Sequence, residues 1–556
     1  MLTKKHRAAL GIAIALSLAG GLAAVLSATV KRATPQRPRP EAAREFYAAE
    51  EIGAYKPIYF EKSPAPPETL YVISKEGMNE FETVMVASLQ GLLVKKQPRI
   101  FIDNGASAKL WMQDLEENHG VRMIAIEDPW ALVDLFRDEI SGYIAYTVSE
   151  EDSSSLNVAT TMAGFENGIL VEKSIAEKAG AAGLPLIEDV SGKTDEWSWE
   201  RYGGRTNRRI LLEQRCYPGD GRLYCLRDYA IMTGAYAFYP GQGELMNRVL
   251  DAQEPDSIML GWGEEAENEQ SASANKRGIN HIASDWGMNW SALSGIYAKQ
   301  LRQETNARPE DLVTGKKHVV TILYTDGDNM QWLTGSFATD EKYWAAKSRG
   351  TFDLGFGMNN LMLEAAPTVM DYLYRTASNT ARGKDYFFVG PHMAYPSEYP
   401  AESLASYTAN LARTMGQGDL KYVQIIDNNY TFGKNAALFD EYTKHEEIEG
   451  LFYIEYDKYC HYEGKVKWSN GKPVITSRYQ WWDNGDETQT AQYIADKINK
   501  APRNLKSPSA YSAISVHCWS YTVDDIKRLV DSFGPDVAVV TPDVFMQTFQ
   551  ANVRHW

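Results

Sequence analysis

The sequence predicts an α/β protein: small layered α/β domains followed by a C-terminal (β/α)8-like barrel. Three observations predict it. Short runs of apolar, β-branched and aromatic residues recur along the chain, as buried parallel strands require. Segments with apolar residues at helical spacing separate them. Eight such runs fall within residues 313–556, close to the roughly 250 residues of a (β/α)8 barrel.

The chain begins with a different signal. Residues 10–30 are almost all Ala, Leu, Ile, Val, Gly and Ser, with Lys4, Lys5 and Arg7 before them. That is the layout of a secretory signal or an uncleaved signal anchor, and the run is long enough to cross a bilayer as a helix. Val25-Leu26-Ser27 is a weak match to a cleavage site, so residues 1–32 read as a signal peptide or as an anchor formed by residues 8–30. A proline-rich linker covers 33–60, with Pro35, Pro38 and Pro40 keeping its start extended. The expected location is extracytoplasmic: periplasmic, cell-surface or secreted. Contact with the membrane is expected only through this segment.

Three small α/β units follow, at 61–135, 136–210 and 211–312. In the first, Leu70-Tyr71-Val72-Ile73 is a strand, Phe81 to Leu93 carry a helical period, and Arg99-Ile100-Phe101-Ile102 is a second strand. Tyr143-Ile144-Ala145-Tyr146, a helix over 158–163 and Gly168-Ile169-Leu170-Val171 repeat the pattern. The third unit starts near Leu211, with helices over 228–236 and 243–252 and a strand over 257–260. No GxGxxG after a strand and no Walker-type loop occurs, so no nucleotide or other cofactor is expected. Cys216 and Cys225 flank a Pro-Gly-Asp-Gly turn, which an oxidising compartment would let a disulfide staple. Neither CxxC nor H-x-x-x-H spacing appears, so no dedicated metal site is expected.

In 313–556 the strand runs are 319–324, 353–358, 386–389, 422–426, 452–456, 474–477, 513–516 and 537–540. Helical patterns at 361–374, 403–415, 487–498 and 523–533 separate most of them. An open doubly wound sheet is the alternative arrangement.

A barrel places its chemistry at the C-terminal ends of its strands, and here those ends are polar. The first gives Asp326 and Asp328, the second Asn359, the third His392, the fourth Asp427, the fifth Glu455 and Asp457. Arg478 follows the sixth and His517 the seventh. Trp332, Tyr395, Tyr399, Tyr456, Tyr459, Trp481, Trp482 and Trp519 crowd the same ends. Aromatic faces pack against sugar rings while carboxylates and amides bind hydroxyls. Core packing and turn capping account equally well for any one of these residues.

The first 40 residues carry seven Lys or Arg and no acid, so of the formal net charge of −16 the remaining chain holds −23. An acidic body repels phosphate backbones, which excludes nucleic acid as the expected partner. A carbohydrate polymer or oligosaccharide fits better. Oligomeric state is not legible.

Two carboxyls across a cleft are the minimum for glycoside hydrolysis. Asp326 or Asp328 facing Glu455 is the expected pair, with His517 orienting or protonating. Trp332, Asn359, His392, Tyr395, Asp427, Asp457, Arg478 and Trp519 are the expected substrate-binding residues. Two other readings stand beside it: a non-catalytic carbohydrate-binding or scaffold protein of the cell surface, and a metal-dependent deacetylase-like hydrolase built on Asp326, Asp328 and a His.

The C-terminal region resembles the GxGYxYP family. The resemblance rests on Tyr324-Thr-Asp-Gly-Asp-Asn-Met-Gln-Trp332, Glu364-Ala-Ala-Pro367, Gly390-Pro-His-Met-Ala-Tyr-Pro396 and Trp468-Ser-Asn-Gly-Lys-Pro473. Leu89-Gln-Gly-Leu-Leu93, Leu226-Arg-Asp-Tyr-Ala230, Leu260-Gly-Trp-Gly263 and Ser284-Asp-Trp-Gly-Met-Asn289 are similar to its N-terminal companion domains. The name-giving motif keeps Gly390, Tyr395 and Pro396 but has His392 and Met393 at its second Gly and first Tyr. The resemblance implies this fold and a glycoside hydrolase activity that is inferred for the family.

Overall fold

The computed structural model describes residues 57–554 except 151, 240, 242, 297–300, 391–393 and 485–488. The apolar segment 8–30, most of the linker 33–60, and His392 lie outside the described residues. No described helix is long and apolar enough to cross a membrane.

Three parallel sheets come first. β1 (Thr69–Ser74), β2 (Ile100–Asp103) and β3 (Arg122–Ile126) pair in the order β2-β1-β3. β4 (Gly142–Tyr146), β5 (Gly168–Glu172) and β6 (Leu186–Asp189) pair as β5-β4-β6. In the third sheet, β7 (Ile210–Glu213), β8 (Tyr236–Phe238), β9 (Ile258–Gly261) and β10 (Asn280–Ala283) run β10-β9-β7-β8. The helix expected over 228–236 stops at Thr233, because Gly234 takes a left-handed C-cap (φ 66°), and β8 begins two residues later.

The C-terminal strands are β11 (His318–Tyr324), β12 (Leu354–Met358), β13 (Asn379–Thr380), β14 (Gly383–Val389), β15 (Tyr422–Asp427), β16 (Gly450–Glu455), β17 (Val466–Ser469), β18 (Lys472–Thr476), β19 (Tyr479–Trp481), β20 (Tyr511–Val516) and β21 (Val537–Val539). They form one large curled sheet, ordered β17-β18-β16-β15-β14-β12-β11-β20-β19. β18 and β19 are halves of one extended run, so its first half pairs with β16 and its second with β20.

The regular ring of eight strands expected from the sequence is not what this pairing gives. The seventh run, β20, lies directly beside β11, and the eighth, β21, adds only a short rung to the start of β11. The last helix, Pro542–Asn552, packs on the same face as Val319, Leu323 and Phe388. Its Phe545 and Phe549 meet the rings of Phe452 and Tyr511. A helix on that face takes space that strand side chains fill in a regular eight-stranded barrel, and the curled sheet packs around it.

Both faces of the strands are buried, which explains the continuous apolar runs. Val319, Leu323, Tyr386, Phe388, Tyr422 and Phe452 line the inner face. Val320, Ile322, Phe356, Phe387, Ile425 and Tyr453 pack outward under the helices. Above the inner apolar layer sits a polar one. Gln424 Nε2 donates to Ser515 Oγ at 3.1 Å, and Ser477 Oγ lies 2.6 Å from the same oxygen.

Candidate active site

The site is built where β11 ends. Thr325 continues the strand, and Asp326 then turns into the left-handed region (φ 66°). Asp is among the few non-glycine residues that visit this region, and such strain collects at functional sites. At Gly327 a Cβ would stand 1.6 Å from Gly357 O, so only glycine lets the turn pass β12. Asp328 follows, buried, and Asn329 caps the helix Met330–Thr334 by accepting from Trp332 N at 3.0 Å. Asn359, at the end of β12, donates to Asp328 O at 3.1 Å and so braces the turn.

Three carboxyls meet here. Asp326 accepts from Thr325 Oγ1 at 2.5 Å and lies 3.6 Å from His517 Nε2. Asp328 is held well above the ordinary carboxylate range, first by burial and then by the charges of Asp326 and Glu267. Glu267 opens the helix Glu267–Asn275 of the third domain. Burial, and then the charge of Asp326, pushes it up to about 7. Tyr395 fixes that helix at both ends: its Oη is 3.3 Å from Glu267 Oε1, and its N–H donates to Asn275 Oδ1 at 2.8 Å.

Aromatic rings wall the site. Tyr459 stacks on Trp482 with centroids 4.9 Å apart, and Trp482 stacks on His517 at 4.7 Å. Tyr395 meets Tyr456 edge-on. His517 Nδ1 is 3.2 Å from Ser520 Oγ, which fixes the ring with Nε2 toward Asp326.

The structure thus brings Asp326, Asp328, His517 and Tyr395 together, with Asn359 behind them. Glu455 sits elsewhere. Residues i and i+2 of a strand share a face, and Glu455 shares that of Tyr453, whose Oη donates to it at 2.7 Å. That face is packed under Phe432 and Phe439. Its electrostatic neighbours are Asp427 and Asp457, and burial pushes it up to about 7. The expected facing of Asp326 or Asp328 with Glu455 is therefore corrected: the carboxyl facing them is Glu267. Asp427 accepts from Ser397 Oγ at 2.5 Å, and Asp457 from Tyr430 Oη at 2.5 Å.

Trp332 is buried between Phe337, Tyr343 and Trp519, so it packs the core while Trp519 is 49 % exposed. Arg478 donates to backbone carbonyls, among them Glu463 O at 2.9 Å and Tyr511 O at 3.1 Å, and locks the run between β18 and β19. The expected Cys216–Cys225 disulfide is not formed; both are buried free thiols. Other contacts hold that loop: Arg222 pairs with Asp220 and Asp285, and Arg227 reaches Cys216 Sγ at 3.2 Å.

Sequence reasoning missed Glu267. Its one available signal was the acid-rich stretch Glu264-Glu-Ala-Glu267 following the end of β9, the position where ligands bind in parallel sheets.

Residues 316–550 match the GxGYxYP putative glycoside hydrolase C-terminal domain, and 69–138, 140–206 and 210–295 match the first, second and third GxGYxYP N-terminal domains. A crystal structure of a putative hydrolase from Bacteroides thetaiotaomicron VPI-5482 superposes with a TM-score of 0.80 at 25 % identity, covering 89 % of this chain and 98 % of that one. No functionally curated protein matches the chain significantly.

Proposed function

The chain belongs to the GxGYxYP family, and from that premise we propose that it is a glycoside hydrolase acting on carbohydrate outside the cytoplasm. The observation that carries the reading is the convergence of Asp326, Asp328 and Glu267, three carboxyls in unlike surroundings. Glycosidases need one protonated and one ionised carboxyl across the scissile bond. Glu267, raised to about 7 and backed by Tyr395, supplies the proton. Asp326, facing Thr325 Oγ1 and His517 Nε2, supplies the carboxylate. In the step, the bond from the anomeric carbon to the bridging oxygen breaks, that oxygen takes the Glu267 proton, and water adds at carbon and gives its proton to the Asp326 carboxylate. Asp328 lies buried beneath, its carboxyl pushed upward by burial and by the charges of Asp326 and Glu267.

His517, Trp482 and Tyr459 supply a stacked wall suited to a sugar ring. The N-terminal apolar segment and proline-rich linker support action outside the cytoplasm, tethered or released. The test is hydrolysis of a panel of oligosaccharides by wild type and Asp326→Asn side by side. Turnover by wild type with a loss of at least about 100-fold in the variant supports the reading. Binding of a glycan without turnover by wild type replaces it with a non-catalytic carbohydrate-binding role.

A further inference from the structure

A cavity of about 210 Å3 lies where the first domain, the third domain and the C-terminal sheet meet. Asn104 and Ser107 come from the first, Trp286 from the third, and Gln331 and Ser336 from the turn of chain beyond Asp328. It is smaller than the roughly 300–1,000 Å3 of pockets for drug-sized ligands, a size for one ring rather than a whole oligomer. Its lining pairs amides and hydroxyls with two indoles, the buried Trp111 and the exposed Trp286.

Trp286 is 44 % exposed, yet its position is fixed. Arg222 lies over its ring 5.2 Å from the centroid and is itself clamped by Asp220 and Asp285. At Gly221 even a Cβ would come no closer than 3.6 Å to the ring, so the loop backs the indole without crowding it. The backbone N–H of Trp286 donates to Gln331 Oε1 at 2.6 Å. Among the described residues, Gln331 Nε2 donates to no protein group, which leaves an amide with unused donors beside a rigid aromatic plate. Gln331 is three residues beyond Asp328, so their Cα atoms are at most roughly 10 Å apart.

We propose that Trp286 and Gln331 form a second saccharide subsite, which takes a neighbouring neutral sugar unit of the same chain that is cut at Asp326 and Glu267. The inference rests on the glycoside hydrolase reading. Its ligand is an uncharged pyranose or furanose ring: the indole stacks on the C–H face, and the Gln331, Asn104 and Ser107 side chains meet hydroxyls. An anionic sugar is disfavoured, because Asp220 and Asp285 already neutralise Arg222. The enzyme would then prefer oligomers to dimers.

The test compares kcat/KM on chito-, xylo-, malto- and manno-oligosaccharides of two and six units, in the full-length protein. The expected result is that wild type favours hexaoses of one series at least 10-fold over the biose. Trp286→Ala should reduce that ratio at least 5-fold, and Trp286→Phe should restore most of it. If Trp286→Ala does not fold, Gln331→Leu carries the same expectation. A hexaose-to-biose ratio unchanged in the folded variant, or absent in wild type, overturns the subsite while the hydrolase reading stands. No turnover of any oligosaccharide by wild type overturns that reading and the subsite with it.

Discussion

Tyr395 Oη lies 3.3 Å from Glu267 Oε1, joining the loop after β14 to the first residue of a helix in the third domain. The contact places a carboxyl from one domain over the Asp326–Asp328 turn of another. The third domain therefore contributes a carboxyl to the site, and the C-terminal sheet alone lacks it.

The pH profile should show this acid directly. A proton donor works only while protonated, and Glu267 is raised to about 7. Glycan hydrolysis should therefore fall as pH rises through about 7. In Glu267→Gln that basic limb should vanish along with most of the rate. A wild-type rate that climbs from pH 6 to 8 contradicts the assignment.

Removing Tyr395 Oη should act through Glu267. Tyr395→Phe deletes a group whose hydrogen bond lowers the pKa of Glu267, against burial and the Asp326 charge that raise it. The basic limb should shift upward in pH, with stability changed by about 1 kcal/mol. An unshifted profile shows that the contact does not tune the acid.

Gly327→Ala should abolish activity without altering any carboxyl. Its Cβ would stand 1.6 Å from Gly357 O, a backbone atom that cannot step aside alone. The turn must move, and with it Asp326 and Asp328. We expect at least about 2 kcal/mol of destabilisation, read by urea unfolding, and loss of glycan turnover. A variant as stable and active as wild type would show that the turn is not as close-packed as described.

How much of this was legible in sequence depends on the range of the interaction. Strands such as β11, β15 and β20 are buried on both faces, so their apolar runs announce them. β6 is half-exposed and polar and β8 is three residues long, so neither carries a run. Asp326 and Asp328 stand out because they follow a strand. Glu267 does not, because what makes it notable is a contact with residues 326 and 395, far along the chain. Glu455 misled for a local reason: strand alternation puts it beside Tyr453 and turns it away from the face that carries Tyr456.

The start of the described chain should matter to stability. Ile58 N and Tyr59 N donate to the buried Glu364 carboxylate at 2.8 Å, and Phe60 N at 3.0 Å. Glu364→Gln removes the charge that these three amides share, and should cost about 2–4 kcal/mol in urea unfolding. A change under about 0.5 kcal/mol would show that the strap is held by its apolar contacts instead.

A carboxyl that gives its proton to a leaving group matters only when the leaving group needs one. Turnover by wild type and Glu267→Gln should be compared on one sugar, supplied as an unactivated oligosaccharide and as its 2,4-dinitrophenyl glycoside. The predicted result is a loss of about 10²–10⁴-fold on the oligosaccharide and little loss on the dinitrophenyl glycoside. Equal losses on both, or none on either, would contradict Glu267 as the acid of this site.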